Sequence, residues 1–313
     1  MLATEPEATE KNVSTIKHAP ARQSPSPSVA TLANFGWKKF GNSNAGETYI
    51  HHLLDDKVLL VPINRPFLLG QTLPTEIPGK GQFITALIHF WLTGSDRLER
   101  FTNYLARHTD RPVSYPKADS LLVLKVKPSS YHITIRQDLD DGVWTEYIQN
   151  SKPSDLGWDL PFCPTLTALD TLTGEQLNLS NYIRDNHYLG QLAACELTNA
   201  YEKAYRFALK RRIVILETTF TFGYPCRLAG SIVTPDSSFF TNTDELLLAL
   251  EEGRQPRSCI DESLRRCCQE GEIVGQRLNS AVNATAINYQ RFFRRLTGHT
   301  LQKYQSLLCS QVT

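Results

Sequence analysis

The chain has 313 residues, 41% of them hydrophobic, with 33 Lys and Arg against 32 Asp and Glu and a net charge of +1. That length and apolar content suffice for one or two domains with a sizeable core. A charge so close to zero provides no field to gather nucleic acid or an anionic membrane surface, so neither is an expected partner. No apolar run reaches the ~20 residues of a membrane helix, and the N-terminus lacks the continuous apolar stretch of a secretory signal. The cysteines are Cys163, Cys195, Cys226, Cys259, Cys267, Cys268 and Cys309, an odd set without a CxxC pair or metal spacing to a histidine. Reduced thiols in a cytoplasmic protein are expected, with no metal site.

Residues 1–33 are polar and rich in Pro and Ser ("RQSPSPSVA") with early glutamates, a composition that favours a disordered tail over a transit peptide. From 34 to 125 short apolar or alternating runs, "KVLLVPI" and "SLLVLKV", predict a β-rich lobe interrupted by a helix over 83–107. "YHITIRQ" opens a second, α+β lobe over 126–240. Within it the Pro-rich stretch 153–170 reads as a long loop, 188–211 as a helix, and "IVILETTFTFG" as a buried strand passing into an alternating one. "DELLLALEEG", "DESLRRCCQEG" and "NATAINYQRFFRRLTG" predict a helical segment over 241–313. No repeat of 20 to 50 residues is visible, and a mixed α+β architecture follows.

Several stretches carry chemistry. The Gly79-Lys80-Gly81 turn precedes the apolar run ending in Phe90 and Trp91, and it suits either a phosphate-gripping loop or an ordinary turn with a solvated lysine. His132 lies near Arg136 on one strand face ahead of Asp138, Asp140 and Asp141, which fits an acid/base pair or a structural histidine beside solvated carboxylates. His51 and His52 fall at a strand start and face opposite sides. Cys267 and Cys268 point in different directions on a helix, which disfavours a disulfide between them.

Taken in order, "INRPFLLGQTLPTEIPGKGQFITALIHFWL", "IRQDLDDGVWTEY", "PFCPT", "ILETTFTFG", "TPDSSFF" and "NYQRFFRRLTG" resemble the SAICAR synthetase family of purine biosynthesis over residues 44 to 300. The resemblance implies an α+β, two-lobed fold of antiparallel sheets, with C-terminal helices around a central cleft into which Lys80, Arg65 and Arg136 would point. It also implies ATP and magnesium, used to activate a carboxylate and join it to an amine as an amide. Many of the groups that such chemistry needs are replaced. The family's basic phosphate loop falls at "NAGET", Asn44 to Thr48, without a positive charge. Phe67 and Leu68 stand for Ser and Ala after Arg65, and Gly70 for an Asp; Ile88 stands for Ser and His132 for Glu. Glu217 keeps a carboxylate, while Thr219 and Thr221 replace Lys and Glu, Gly230 and Ser231 an Asp-Glu pair, and Phe239 an Arg.

Magnesium on a triphosphate usually takes one or two carboxylates beside the phosphates, and only Glu217 remains at the matched positions. Each missing cation also removes a charge-assisted bond of roughly 1.5–3 kcal/mol. The resemblance therefore implies a changed site. Arg136, His132 and Lys80 are its candidate catalytic residues, and Arg65, Phe67, Ile88, Asp236, Ser237, Phe239 and Arg266 its candidate substrate contacts. No cofactor is expected on this reading. The function it suggests is a cyclase or condensing enzyme of specialised biosynthesis, acting on a small, largely apolar intermediate without ATP. An amide ligase with an altered substrate, holding ATP and magnesium through Glu217, stays open, as does a pseudoenzyme serving as a binding or scaffold protein.

Overall fold

The computed structural model describes residues 38–40, 49–53, 57–68, 71–93, 121–124, 127–140, 142–150, 160–170, 173–224, 227–228, 232–272 and 274–310. The expected tail and all of 94–120 lie outside them. The N-terminal strands β1 (Lys38–Phe40), β2 (Tyr49–Leu53) and β3 (Lys57–Pro62) are followed by a short hairpin, β4 (Phe67–Leu68) and β5 (Gln71–Thr72), then helix α1 (Lys80–Thr93) and strand β6 (Leu121–Leu124). Strands β1-β2-β3-β6 form one antiparallel sheet in that order.

A second sheet is built from β7 (Lys127–Gln137), β8 (Pro164–Asp170), β9 (Gln176–Asn178), β10 (Ile213–Tyr224), β11 (Arg227–Leu228) and β12 (Ser238–Asn242). Its order is β11-β10-β7-β8-β9, with β12 also paired to β10. The helices set among and after these strands are α2 (Gly142–Asn150), α3 (Leu179–Leu209), α4 (Thr243–Glu251), α5 (Glu262–Gln269), α6 (Gln276–Thr297) and α7 (Leu301–Ser310).

Period-two alternation divides the second sheet into two unlike faces. Ile133, Ile135 and Gln137 on β7, Ala168 on β8, and Leu216, Thr218 and Phe220 on β10 are buried. Helix α3 covers this side with a stripe at helical spacing, Leu197, Ala200, Tyr201, Ala204, Tyr205 and Ala208, all buried. Tyr201 fixes the contact: Gln137 donates to its hydroxyl, which donates in turn to the Ile215 carbonyl at 2.6 Å. Each large side chain sealed here contributes about 1.5–3 kcal/mol.

Two sequence expectations change. The stretch 153–170 is not all loop, because Pro164–Asp170 is a strand, with Ala168 buried and Thr165 and Leu169 exposed; turn residues upstream mask this short pattern. The helix expected from 83 starts at Lys80, and it is apolar all round, with Phe83, Ile84, Leu87, Ile88, Phe90 and Trp91 buried. A helix hydrophobic on every side lies in a core. Phe83 packs edge-on against Tyr289 and Phe293 of α6, with ring centroids 4.5 and 5.7 Å away.

The local geometry of α1 explains both glycines of the Gly-Lys-Gly turn. Gly79 sits at φ +75°, where a side chain is strained. Gly81 brings its backbone so close to β3 that an added Cβ would lie 2.8 Å from the Pro62 carbonyl, and its N–H donates to Asn64 Oδ1 at 2.9 Å. Gly81→Ala is therefore expected to lower stability by about 1–3 kcal/mol in chemical denaturation, since backbone must move to admit the methyl. A change below the error of the fit would show that this approach is loose.

Candidate functional site

Lys80 begins α1 with no exposed surface, and its Nζ donates to the Ile63 carbonyl (3.1 Å), the Arg65 carbonyl (3.3 Å) and Asp236 Oδ2 (2.7 Å). An ammonium has three N–H donors, so all of them are used within the protein. Asp236 is equally sealed, its side chain 4% exposed. Burial raises its pKa, and the Lys80 charge and hydrogen bond oppose that shift. The same helix grips the same turn a second time, as Trp91 Nε1 donates to the Val233 carbonyl at 3.0 Å. Val233 is a buried, β-branched residue at φ 46°, a strained conformation held by its surroundings. Ser237 closes the turn through Thr234, and its carbonyl accepts from the Thr219 N–H at 2.7 Å. "IPGKG" and "TPDSS" thus meet in a buried node.

The open face of the second sheet carries different chemistry. Across β10, β7 and β8 the register aligns Glu217, Arg136 and Thr165; Thr219, Thr134 and Thr167; and Thr221, His132 and Leu169. Directly paired residues share a face. Arg136 Nε donates to Glu217 Oε2 at 2.8 Å, with side chains 66% and 37% exposed, and the Thr134 and Thr219 hydroxyls are 2.8 Å apart. His132 is half-buried, and burial lowers its pKa, so the imidazole is held neutral near pH 7. Phe239 on β12 is opposite Glu217 and extends the row. Arg265 of α5 lies over its ring, 5.2 Å from the centroid.

The other candidates fall elsewhere. Ile88 is in the core, 1% exposed. Arg266 forms a 3.7 Å helical pair with Glu262 and is half-exposed. Arg65 is exposed beside the node and lends its carbonyl to Lys80. Phe67 is placed on β4, but its side chain lies outside the described set, as do Asn44 to Thr48, Gly230 and Ser231. Arg265 was missed by sequence reasoning. The i,i+4 spacing of Asp261 and Arg265 was the available signal, because it sets Arg265 on a different side of α5 from Arg266. An open groove of about 430 Å³ beside α2, lined by Val143, Glu146, Tyr147, Leu160 and Arg206 among others, contains none of these residues.

No protein-family model matches the chain. The phosphoribosylaminoimidazole-succinocarboxamide synthase of Polaromonas naphthalenivorans is 26% identical over 273 residues, covering 78% of this chain and 90% of its own length. That of Leptothrix cholodnii is 27% identical over 279 residues, covering 77% and 90%. Among solved structures, the SAICAR synthase of Saccharomyces cerevisiae complexed with SAICAR superposes with a TM-score of 0.62 at 20% identity, covering 82% of this chain and 95% of that one. A SAICAR synthetase in complex with ADP gives 0.55 at 16% identity, covering 82% and 98%. The chain is thus similar to the SAICAR synthetases over about four-fifths of its length.

Its fold is the α+β architecture of the SAICAR synthetases. "IPGKG" and "TPDSS" supply the buried node, whereas Thr219, Thr221, His132 and Phe239 stand on or beside the open face. For a magnesium-bound triphosphate the described donors fit poorly. Lys80 has no free N–H, and Glu217 already accepts from Arg136. Among the described residues no group of three or more His, Cys, Asp or Glu side chains is placed to hold a metal ion. Among them, too, no helix is long and apolar enough to cross a membrane.

Proposed function

We propose that this protein is a member of the SAICAR synthetase family and an enzyme of specialised biosynthesis that acts on a small, largely apolar intermediate, as a cyclase or condensing catalyst, without ATP. The observation that carries this reading is the consumption of Lys80: the one cation of the Gly-Lys-Gly turn is spent on two carbonyls and Asp236. What remains on the open face suits proton transfer. His132 is a neutral imidazole among hydroxyls, able to take a proton from a substrate carbon or heteroatom and return it. Four residues along β7, about 13 Å at the strand rise, Arg136 and Glu217 offer a donor and an acceptor to the substrate's polar end. Threonine methyls, Leu169 and the Phe239 ring provide apolar surface between and beside them.

The test is a melting experiment. A ligand that binds only the folded state at 100 times its dissociation constant adds about 2.7 kcal/mol. Millimolar ATP with magnesium is expected to leave the melting temperature unchanged, as is ATP alone. The second reading, an ATP-dependent amide ligase with altered substrate, draws on the half-exposed carboxylate of Glu217 and on the relatives' names. It replaces the first if Mg-ATP raises the melting temperature by several degrees and Glu217→Ala removes the rise. If neither nucleotide nor any member of an apolar compound library stabilises the protein, a non-catalytic binding role takes first place.

A further inference from the structure

Two helix faces on the surface are opposite in charge and alike in pattern. On α4, outside the buried stripe of Thr243, Leu246 and Ala249, the side chains of Asp244, Leu248 and Glu251 are exposed. On α6, away from the residues that pack inward, Ile287, Arg291 and Arg294 are exposed. Both triplets follow the spacing i, i+4, i+7, so each forms one ridge along its helix. Leu248 and Ile287 are 45% and 49% exposed, each a large apolar side chain set beside charges. Asp244 pairs with Arg212, whereas Glu251, Arg291 and Arg294 have no side-chain partner among the described residues. A single exposed apolar residue is ordinary. An acidic ridge and a basic ridge of equal spacing, each centred on or ending in such a residue, are complementary.

The two ridges start from one junction. Arg295, in the last turn of α6, donates to Asn242 Oδ1 at the start of α4 (2.8 Å) and to the Arg211 and Arg212 carbonyls (2.7 and 3.1 Å). Arg291 lies one turn before Arg295 on the same side of α6, and Asp244 meets Arg212 at the same place. Fixed to one framework, the ridges cannot turn to face each other. A second molecule related by a half-rotation brings its acidic ridge to the basic one and its basic ridge to the acidic one.

We propose that a second copy of this chain docks here, with α4 of one protomer on α6 of the other and the reverse, Leu248 against Ile287 and Glu251 beside Arg291. Two equal contacts about a two-fold axis close the assembly at a dimer. They also double the buried surface, which a single helix pair leaves short of the ~1,600 Å² of a stable interface. This contact involves neither the open face of the second sheet nor any nucleotide.

Sedimentation velocity of the full chain over roughly 1–100 µM, the range of moderate self-association, is expected to show a monomer–dimer equilibrium. Added salt should move it toward monomer, because exposed charges are screened beyond ~10 Å at 0.1 M. Glu251→Arg or Arg291→Glu alone sets like charges together and should weaken the dimer about tenfold or more. Combining the two exchanges the signs and should recover much of the native affinity, which damage to folding would not do. Leu248→Ser, at an exposed position, should also weaken the dimer while leaving the thermal melt of dilute protein unchanged. A native protein that stays monomeric throughout, a dimer indifferent to both reversals, or a double variant no better than the single ones overturns the proposal. A ladder of larger species in place of one dimer overturns the reciprocal pairing.

Discussion

Lys80→Met is expected to lower folding stability by about 3–5 kcal/mol in urea titration, because it strands a sealed carboxylate without its partner. The variant should also change its pH response. With Lys80 gone, burial and the negative charge of Asp261 both act on Asp236 and keep its folded pKa above the unfolded value. Stability then depends in part on a proton that is bound at low pH and lost as pH rises, so acid should destabilise the variant less than it does the native protein. Adding Asp236→Leu should recover much of the loss, since an apolar pair of similar volume can replace a buried ion pair at little net penalty. A loss under 1 kcal/mol, or a double variant no better than the single one, would show that the node does not hold α1 to the turn.

Acid should destabilise the native protein through His89. This residue of α1 is 9% exposed, with Nδ1 2.9 Å from the Tyr304 hydroxyl of α7, and burial lowers its pKa from 6.5 to about 4. A depressed folded pKa means that the unfolded chain binds the proton first. The contribution is present above pH 6.5 and is lost as pH falls from 6.5 through about 4. At 1.36 kcal/mol per pKa unit the full loss is about 3 kcal/mol. His89→Gln, which keeps a polar group for Tyr304 without titrating, should flatten the stability profile across this window, as read from chemical denaturation at successive pH values. A native profile as flat as the variant's would mean that the imidazole accepts its proton without strain.

The parts of the fold that sequence made legible were those with one dominant period. "KVLLVPI", "YHITIRQ" and "IVILETTFTFG" became β3, β7 and β10, and the three C-terminal patterns became α4, α5 and α6. β8 was hidden because it spans few residues behind a proline-rich approach, and α7 falls within the helical segment expected over 241–313, although its mixed pattern gave no separate boundaries. The site divided similarly. Residue type led to His132, Arg136 and Glu217, and strand register then showed that they share one face. Residue type was misleading for Lys80 and Asp236, where a cation and a carboxylate suggest ligand contact but serve each other. It was also misleading for Ile88, whose apolar side chain lines no described surface because α1 is buried on all sides. For Arg265 the i,i+4 spacing to Asp261 marks their ion pair, but the contact with Phe239 joins α5 to β12 and is not local.

The separation of the buried node from the open face also governs how this scaffold tolerates change. Exposed positions away from cores and caps accept most substitutions within about 0.5 kcal/mol, whereas sealed charges and tightly approaching backbone do not. Thr134, Thr165, Thr167 and Thr219 stand on the far side of the sheet from Tyr201 and its hydrogen bonds. Their side chains can be exchanged without loosening α3 or the turn that α1 grips. A chain built in this way can drift from one ligand to another while its framework stays put, and a library randomised at those four positions should yield mostly folded proteins with altered binding.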